Sequence, residues 1–321
     1  MSEDNNTVSE APATEDVVTE TEQNETEQNE TEPVQKMGMS EMTPPLFVVC
    51  FVICIFATSI ISYHFGYQRS AYDAQLSELQ DIQSSESPAE VEEDIDLEAD
   101  PDYYDYSHKQ TLPQAEMLYN MGQLYDLNED TIGWLIIDDT NIDYPVMQSM
   151  YDEEYYLDRD FQKNHSANGC LIMDTDSTVG SGTRANEYAD GTVPSTNLII
   201  HGHNMKNGDM FGNLDKYRDV NYYKDHRVIK FSSLYEEREY EIISVFLSQV
   251  YLKTQNDVFK YYKFFNASNE EQFNDWYDNI MKLALYDTGV KAKYGDEFIT
   301  LSVCAYHVDN GRLVVVGKRI K

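Results

Sequence analysis

Apolar and polar positions follow different periods in different parts of the chain, and the changes of period divide it. Residues 46–63, LFVVCFVICIFATSIISY, form an uncharged apolar run. As a helix of about 18 residues the run spans ~27 Å, close to the hydrocarbon thickness of a bilayer, and it predicts one membrane-spanning helix within an anchor at 44–65. From residue 113 onward Tyr, Phe, Ile, Leu and Val recur at strand and helix spacings. Pro113 opens QAEMLYNMGQLYDLNED, where Met117, Leu118, Met121, Leu124 and Tyr125 predict an amphipathic helix. WLIIDDTNIDYPVM reads as two short strands around a polar turn, and GCLIMD, NLIIHGH, RVIKFSS, REYEIISVFLSQVY, EFITLSVC and RLVVVGK read as further strands. About eight strands at this spacing predict a mostly β domain, a closed or nearly closed barrel. One segment breaks the pattern. Ser268-Asn-Glu-Glu271 is a capping-box signal, and Phe273, Trp276, Tyr277, Ile280, Met281 and Leu283 follow on one face, so a helix of about four turns is expected between two strands.

Charge sharpens these boundaries. The chain has 321 residues and a formal net charge of -35, which excludes a basic nucleic-acid-binding surface as its main theme. Roughly 22 of the net negative charges precede residue 113, so the acidity belongs mostly to the flanking segments. Residues 1–43 carry the repeat TEQNETEQNETEP and a single base, Lys36, with almost no large apolar residues; a disordered acidic tail is expected. Residues 66–112 are rich in Ser, Glu, Asp and Gln and suit a solvated stalk, partly helical around AYDAQLSELQDI. Residues 113–321 are long enough for one well-cored domain. The competing reading of the apolar run is a cleaved signal peptide. A long acidic leader is the wrong n-region for that, and no small-x-small site ends the run before Tyr63, His64 and Phe65. Lys36 and Arg69 nearly balance across the run, so charge alone leaves its orientation open.

No Gly-rich phosphate loop and no Cys/His grouping with zinc-finger spacing is present, so no cofactor or metal is expected. Of four cysteines, Cys50 and Cys54 fall within the apolar run. Cys170 and Cys304 belong to the folded domain, where a disulfide between them is the bland reading. The end of the chain, ITLSVCAYHVDNGRLVVVGKRI, allows two registers. If 305–311 is a loop, Cys304 and Arg312 stand opposite each other on paired strands and share a face. If Asn310-Gly311 is a two-residue hairpin turn, Asp309 pairs with Arg312 and Cys304 moves opposite Gly317. A thiol becomes a nucleophile beside a base or cation, which directs attention to the histidines. His201 and His203 end the strand NLIIHGHNM, with Gly202 between them to permit a bend or a close approach. Cysteine, histidine and arginine near strand ends supply a nucleophile, a proton carrier and an oxyanion donor, the parts that acyl transfer requires.

With these residues in view, the domain resembles the sortase family, and class B sortases most. The resemblance rests on GWLIIDDTNIDYPVMQ, YYLDRDF with a following Gly and IMDTDS, NLIIHGHNM followed by MFGNLDKY, TLSVC, and GRLVVVGK, in the family's order over nearly all of 113–321. The long helix before the cysteine strand favours class B. Departures are Val303 in place of the commoner Thr, Asp158 where Asn is usual, and an extended stretch from Thr183 to Val193. The resemblance implies a sortase-type eight-stranded barrel behind one transmembrane helix, with Cys304 as nucleophile, His203 as proton carrier and Arg312 as oxyanion donor. It gives His201 no catalytic counterpart, implies Leu157 and Ser302 as substrate-binding residues, and favours the loop register. It further implies a cell-membrane protein with its N-terminus inside and its catalytic domain outside. The implied activity is cysteine transpeptidation: an Asn-Pro-x-Thr type signal of a secreted protein is cleaved after Thr, and the acyl group passes to an amine of peptidoglycan. A pilin lysine as acceptor, a hydrolytic cysteine peptidase and a non-enzymatic surface ectodomain are the rivals.

Overall fold

The structure, a computed structural model, describes residues 44–87, 115–184, 188 and 192–321. The expected acidic tail (1–43), most of the stalk and Pro113 lie outside the described residues. The chain divides into two units, Met1–Phe65 and Gly66–Lys321. Helix α1, Pro44–Gln83, holds the apolar run. Among the described residues it is the one helix long and apolar enough to cross a membrane, over Phe47–Gln83, and Phe51, Phe56 and Ile60 are exposed along it.

In the second unit eight strands close into a barrel: β1 (Thr131–Ile136), β2 (Asp143–Met147), β3 (Leu171–Met173), β4 (Asn197–Gly202), β5 (Val228–Ser233), β6 (Glu237–Gln249), β7 (Phe298–Cys304) and β8 (Gly311–Arg319). The order around the barrel is β1-β2-β3-β4-β7-β8-β6-β5. The pairs β2/β3 and β4/β7 are parallel and the rest antiparallel. Alternation sends one set of side chains inward: Leu135, Val146, Leu171, Leu198, Phe231, Val245, Leu301 and Val315, one from each strand, meet in a single buried core.

Two covers shield parts of the outer face. Helix α3, Glu270–Leu283, buries Phe273, Trp276 and Ile280 against Phe246 of β6, Phe298 of β7 and Val314 of β8. Its N-terminus is formed one residue later than Ser268 predicts: the Asn269 side chain accepts from Gln272 N at 2.9 Å, and Gln272 Oε1 reaches back to Ser268 N at 3.0 Å. Helix α2, Tyr119–Leu127, buries Met121 and Leu124 over Trp134 and Met147. It starts later than the apolar spacing suggests because Leu118 is extended, its N–H taken by Leu234 O at 2.8 Å. Leu79, in the C-terminal part of α1, is buried in the same cluster, so this part of the expected stalk packs on the barrel. The end of β4, at His201 and Gly202, lines a groove together with Ile172 of β3, Ser302 and Cys304 of β7 and Arg312 of β8.

Candidate active site

The β7–β8 ladder decides between the two registers. Cys304 is paired with Arg312, and Gly317 stands opposite Ile299. The connection is a loop closed by Gly311 N donating to Val308 O at 3.0 Å and Ala305 N to Gly311 O at 2.9 Å. Asn310 takes the left-handed conformation, with φ 54°. A Cβ on Gly311 would lie 2.1 Å from Ala305 O, so only glycine begins β8 here. Asn310-Gly311 thus ends a longer loop instead of forming the whole turn.

β4 runs parallel to β7, with His201 beside Ser302 and Gly202 beside Val303. Gly202 is required by proximity: a Cβ there would come within 2.6 Å of both Leu171 Cδ2 and Phe211 Cδ2. His203 follows directly. Its Nε2–H donates to Leu157 O at 2.6 Å, since a carbonyl oxygen only accepts, and its own carbonyl accepts from Phe211 N at 2.9 Å. Asn204 then donates through Nδ2 to Cys304 O at 2.7 Å, tying the histidine segment to the end of β7.

Leu157, His201, His203, Ser302, Cys304 and Arg312 line one groove of about 410 Å³, with Glu153, Glu154 and Asp174 on its wall. All five residues expected to act or bind are therefore brought together. Leu157 meets His203 through its backbone carbonyl. Ser302 is buried, its hydroxyl 2.7 Å from Tyr261 OH. Arg312 donates through Nη1 to the carbonyls of Asn310 and Gly311, at 3.3 and 3.0 Å, folding back over its own loop.

Three groups at the site were not singled out by sequence reasoning. Tyr261 sits in a short 3-10 turn beneath Ser302; burial pushes its hydroxyl up to about 12, partly countered by the Ser302 hydrogen bond and the positive charge of Arg312. No periodic pattern marks this turn. Asp174 lies 3.5 Å from His201 Nε2. Burial raises the pKa of Asp174, but the hydrogen bond from His201 and that from Asp176 N hold it below the ordinary carboxylate value. Asn204 was legible only as part of the strand-end motif.

Cys170 also lines the groove, yet it is buried, whereas Cys304 is half-buried; both thiols are free. Burial, with a smaller contribution from Asp160, pushes the Cys170 thiol far above its ordinary value, and its Sγ lies 3.4 Å from Arg159 O. A thiol so placed stays protonated and is a poor nucleophile. Among the described residues no group of three or more His, Cys, Asp or Glu is placed to hold a metal ion.

No protein-family model matches the chain. Similar proteins do. Sortase B of Listeria monocytogenes is 33% identical over 208 residues, 64% of this chain and 76% of that protein. Sortase B of Staphylococcus aureus is 26% identical over 203 residues, covering 62% and 73% respectively. The crystal structure of sortase B from Bacillus anthracis in complex with AAEK1 superposes with a TM-score of 0.58 at 26% identity, over 82% of this chain and 99% of that one.

Proposed function

The chain belongs to the sortase family, most similar to class B, and from that premise we propose that it is a membrane-anchored transpeptidase whose reacting groups are Cys304, His203 and Arg312. The observation that carries this reading is the pairing of Cys304 with Arg312 across β7 and β8 in the groove that also holds His203.

In the proposed reaction an Asn-Pro-x-Thr type signal of a secreted protein lies in the groove beside Leu157 and Ser302. The Cys304 thiolate attacks the Thr carbonyl carbon, forming a C–S bond and a tetrahedral oxyanion. Arg312 holds that oxyanion; its planar fork of donors suits the task better than an ammonium does. Collapse breaks the C–N bond as His203 gives a proton to the leaving amine, and a thioester remains on Cys304. An incoming amine then attacks the thioester, His203 takes its proton, and Cys304 leaves as thiolate. The acceptor is an amine of peptidoglycan, which makes the product a wall-anchored protein. Helix α1 is the anchor, crossing the membrane once with the catalytic unit outside.

The test uses the full chain in detergent with a library of Asn-Pro-x-Thr peptides, with and without added amines, and reads the products by mass. Acyl transfer to the amine supports the reading. Cleavage that no amine diverts identifies a hydrolytic peptidase, and absence of cleavage returns the ectodomain reading. Protease added to intact cells should remove the catalytic unit and spare the tail; the reverse pattern overturns the orientation.

A further inference from the structure

The two rims of the barrel differ in what they expose and in how the chain reaches them. β4 and β7 end at one rim, β8 begins there, and β6 ends there too, with Gln249 paired to Gly311. This rim carries the groove. β5 ends and β6 begins at the opposite rim, where Leu234 lies in the turn between them.

The docked part of α1 leads from the first rim toward the second. Gly66 begins the barrel unit, and three residues later Arg69 forks onto Asp209, in the loop that follows β4. At the other end Gln83 O accepts from Asn120 Nδ2 in α2, and Leu118, just before α2, donates its N–H to Leu234 O. The chain therefore enters this unit at the groove rim. Tyr63 ends the apolar run six residues before Arg69. Six residues span at most about 20 Å, so covalent geometry holds the end of the run near that rim whatever path the chain takes between them.

The same rim exposes apolar side chains. Tyr306 and Leu252 are 83% and 70% exposed, and Val250 and Val308 are exposed as well. Val250 follows β6 and donates its N–H to Asn310 O at 2.9 Å, which joins the segment holding Leu252 to the β7–β8 loop holding Tyr306 and Val308. Tyr306 in turn lines a cavity with Gly208, the neighbour of Asp209 in sequence. The apolar patch and the point of chain entry thus share one end of the barrel. Clustered exposed apolar side chains mark interaction surfaces, and tyrosine is enriched where lipid meets water.

Resting on the membrane-anchor reading above, we propose that the groove rim faces the bilayer and that Val250, Leu252, Tyr306 and Val308 rest in its interface, with a lipid surface as their partner. The groove then lies at the membrane surface, and the opposite rim stands off by about 30 Å, the length of the nine-residue strand β8. An interfacial side chain reaches about 5–10 Å into the headgroup and acyl boundary, so only the first rim makes contact.

The experiment places a tryptophan at each rim of the full chain. Tyr306→Trp and Leu252→Trp mark the groove rim, and Ile320→Trp, just after β8 and likewise exposed, marks the other. Each chain is reconstituted in vesicles of phosphatidylethanolamine and phosphatidylglycerol, with and without bromines near the headgroup end of the acyl chains. The emission of Trp134 and Trp276, measured on the unsubstituted chain, is subtracted. At least one groove-rim tryptophan is expected to lose emission to the brominated lipid, and Ile320→Trp is expected to lose none. Loss at neither groove-rim position, or loss at Ile320→Trp as large as theirs, overturns the proposal. A blue shift of the groove-rim tryptophans that grows with chain concentration in detergent, without loss in vesicles, identifies a second copy as the occupant instead. Flotation of the same samples separates the two readings. A chain that fails to float with the vesicles refutes the anchor and this proposal together, whereas one that floats without the difference in emission refutes this proposal alone.

Discussion

Replacing Arg69 with alanine is expected to damage turnover although Arg69 does not line the groove. Arg69 lies in the part of α1 that belongs to the barrel unit, and its guanidinium forks onto both oxygens of Asp209. Asp209 is buried; Asn207 and Asn168 donate to the same carboxylate at 2.8 and 3.2 Å. The loop that holds Asp209 is the one that carries the proposed proton carrier, since Asn204 bridges to Met210 and Phe211 N donates to His203 O. Tyr72 adds a contact from α1 to Met210 Sδ at 3.5 Å. Removing the guanidinium leaves a buried carboxylate with two amide donors. A charge-assisted pair of this kind contributes ~1.5–3 kcal/mol, and because the Arg69 side chain is 46% exposed we take the lower half, about 2 kcal/mol. For a domain of this size that lowers Tm by about 4–8 °C. Slack in the loop also displaces His203 and Asn204, and misplacements of about 1 Å cost up to about a hundredfold in rate, so kcat should fall at least about tenfold with KM little changed. The assay is thermal melting of the full chain in detergent, with turnover measured well below the melting range so that wild type and variant are equally folded. Arg69→Lys, which keeps charge without the fork, should fall between the two. An Arg69→Ala chain that melts within about a degree of wild type and turns over at the same rate refutes the reasoning.

Gly202→Ala forces a methyl into Leu171 and Phe211 at 2.6 Å, so melting should drop by an amount equivalent to about 1–3 kcal/mol; an unchanged Tm is the contrary result. Cys170→Ala should keep most activity, and brief alkylation followed by peptide mapping should label Cys304 before Cys170; the opposite order contradicts the assignment of the nucleophile. His203→Ala should stop thioester formation nearly as fully as Cys304→Ala, while His201→Ala stays substantially active; an inactive His201→Ala beside an active His203→Ala sinks the assignment. Burial alone would raise the pKa of Glu236, but the Arg319 hydrogen bond and the Arg238 charge hold it below the ordinary value. Its stabilising contribution is therefore present above the ordinary carboxylate range and lost as pH falls through the depressed value; Glu236→Gln should flatten the acid limb of a stability-pH curve, and an unchanged limb counts against this.

The eight strands were legible as short apolar stretches with turn residues at their ends, alternating in β5 and nearly continuous in β4, β7 and β8. Register was not legible where turn chemistry is ambiguous. Asn310-Gly311 is a strong two-residue hairpin signal, and what defeats it is the close approach of Gly311 to Ala305 O, a contact between backbone atoms that no side-chain pattern encodes. The start of α2 was misjudged for a similar reason, a backbone bond from Leu118 to Leu234. Residues 66–83 looked like stalk because their apolar positions are few; the burial of Leu79 and the Arg69 fork to Asp209, 140 positions away in sequence, dock them. Tyr261 under Ser302 had no signal beyond an aromatic in an irregular stretch.

The site itself follows from strand direction. Parallel β4 and β7 bring their C-terminal ends, His203 and Cys304, to one rim. β8 is antiparallel to β7, so its first residues, with Arg312, arrive at that rim as well. Three residues spread over 110 positions are thereby gathered by the sheet, and the loops need only close the connections. The same geometry delivers a fourth candidate. β3 is antiparallel to β4, with Ile172 opposite His201, so Cys170 at the start of β3 also reaches this rim and lines the same groove. Topology therefore does not choose between the two thiols. Burial does: Cys170 is 6% exposed, enclosed by Phe161, Tyr156 and Leu79, and pays the full desolvation cost of a thiolate, whereas Cys304 is half-buried with the Arg312 cation across the ladder from it. The difference in reactivity between them is set by what covers each strand end, not by the barrel that presents both.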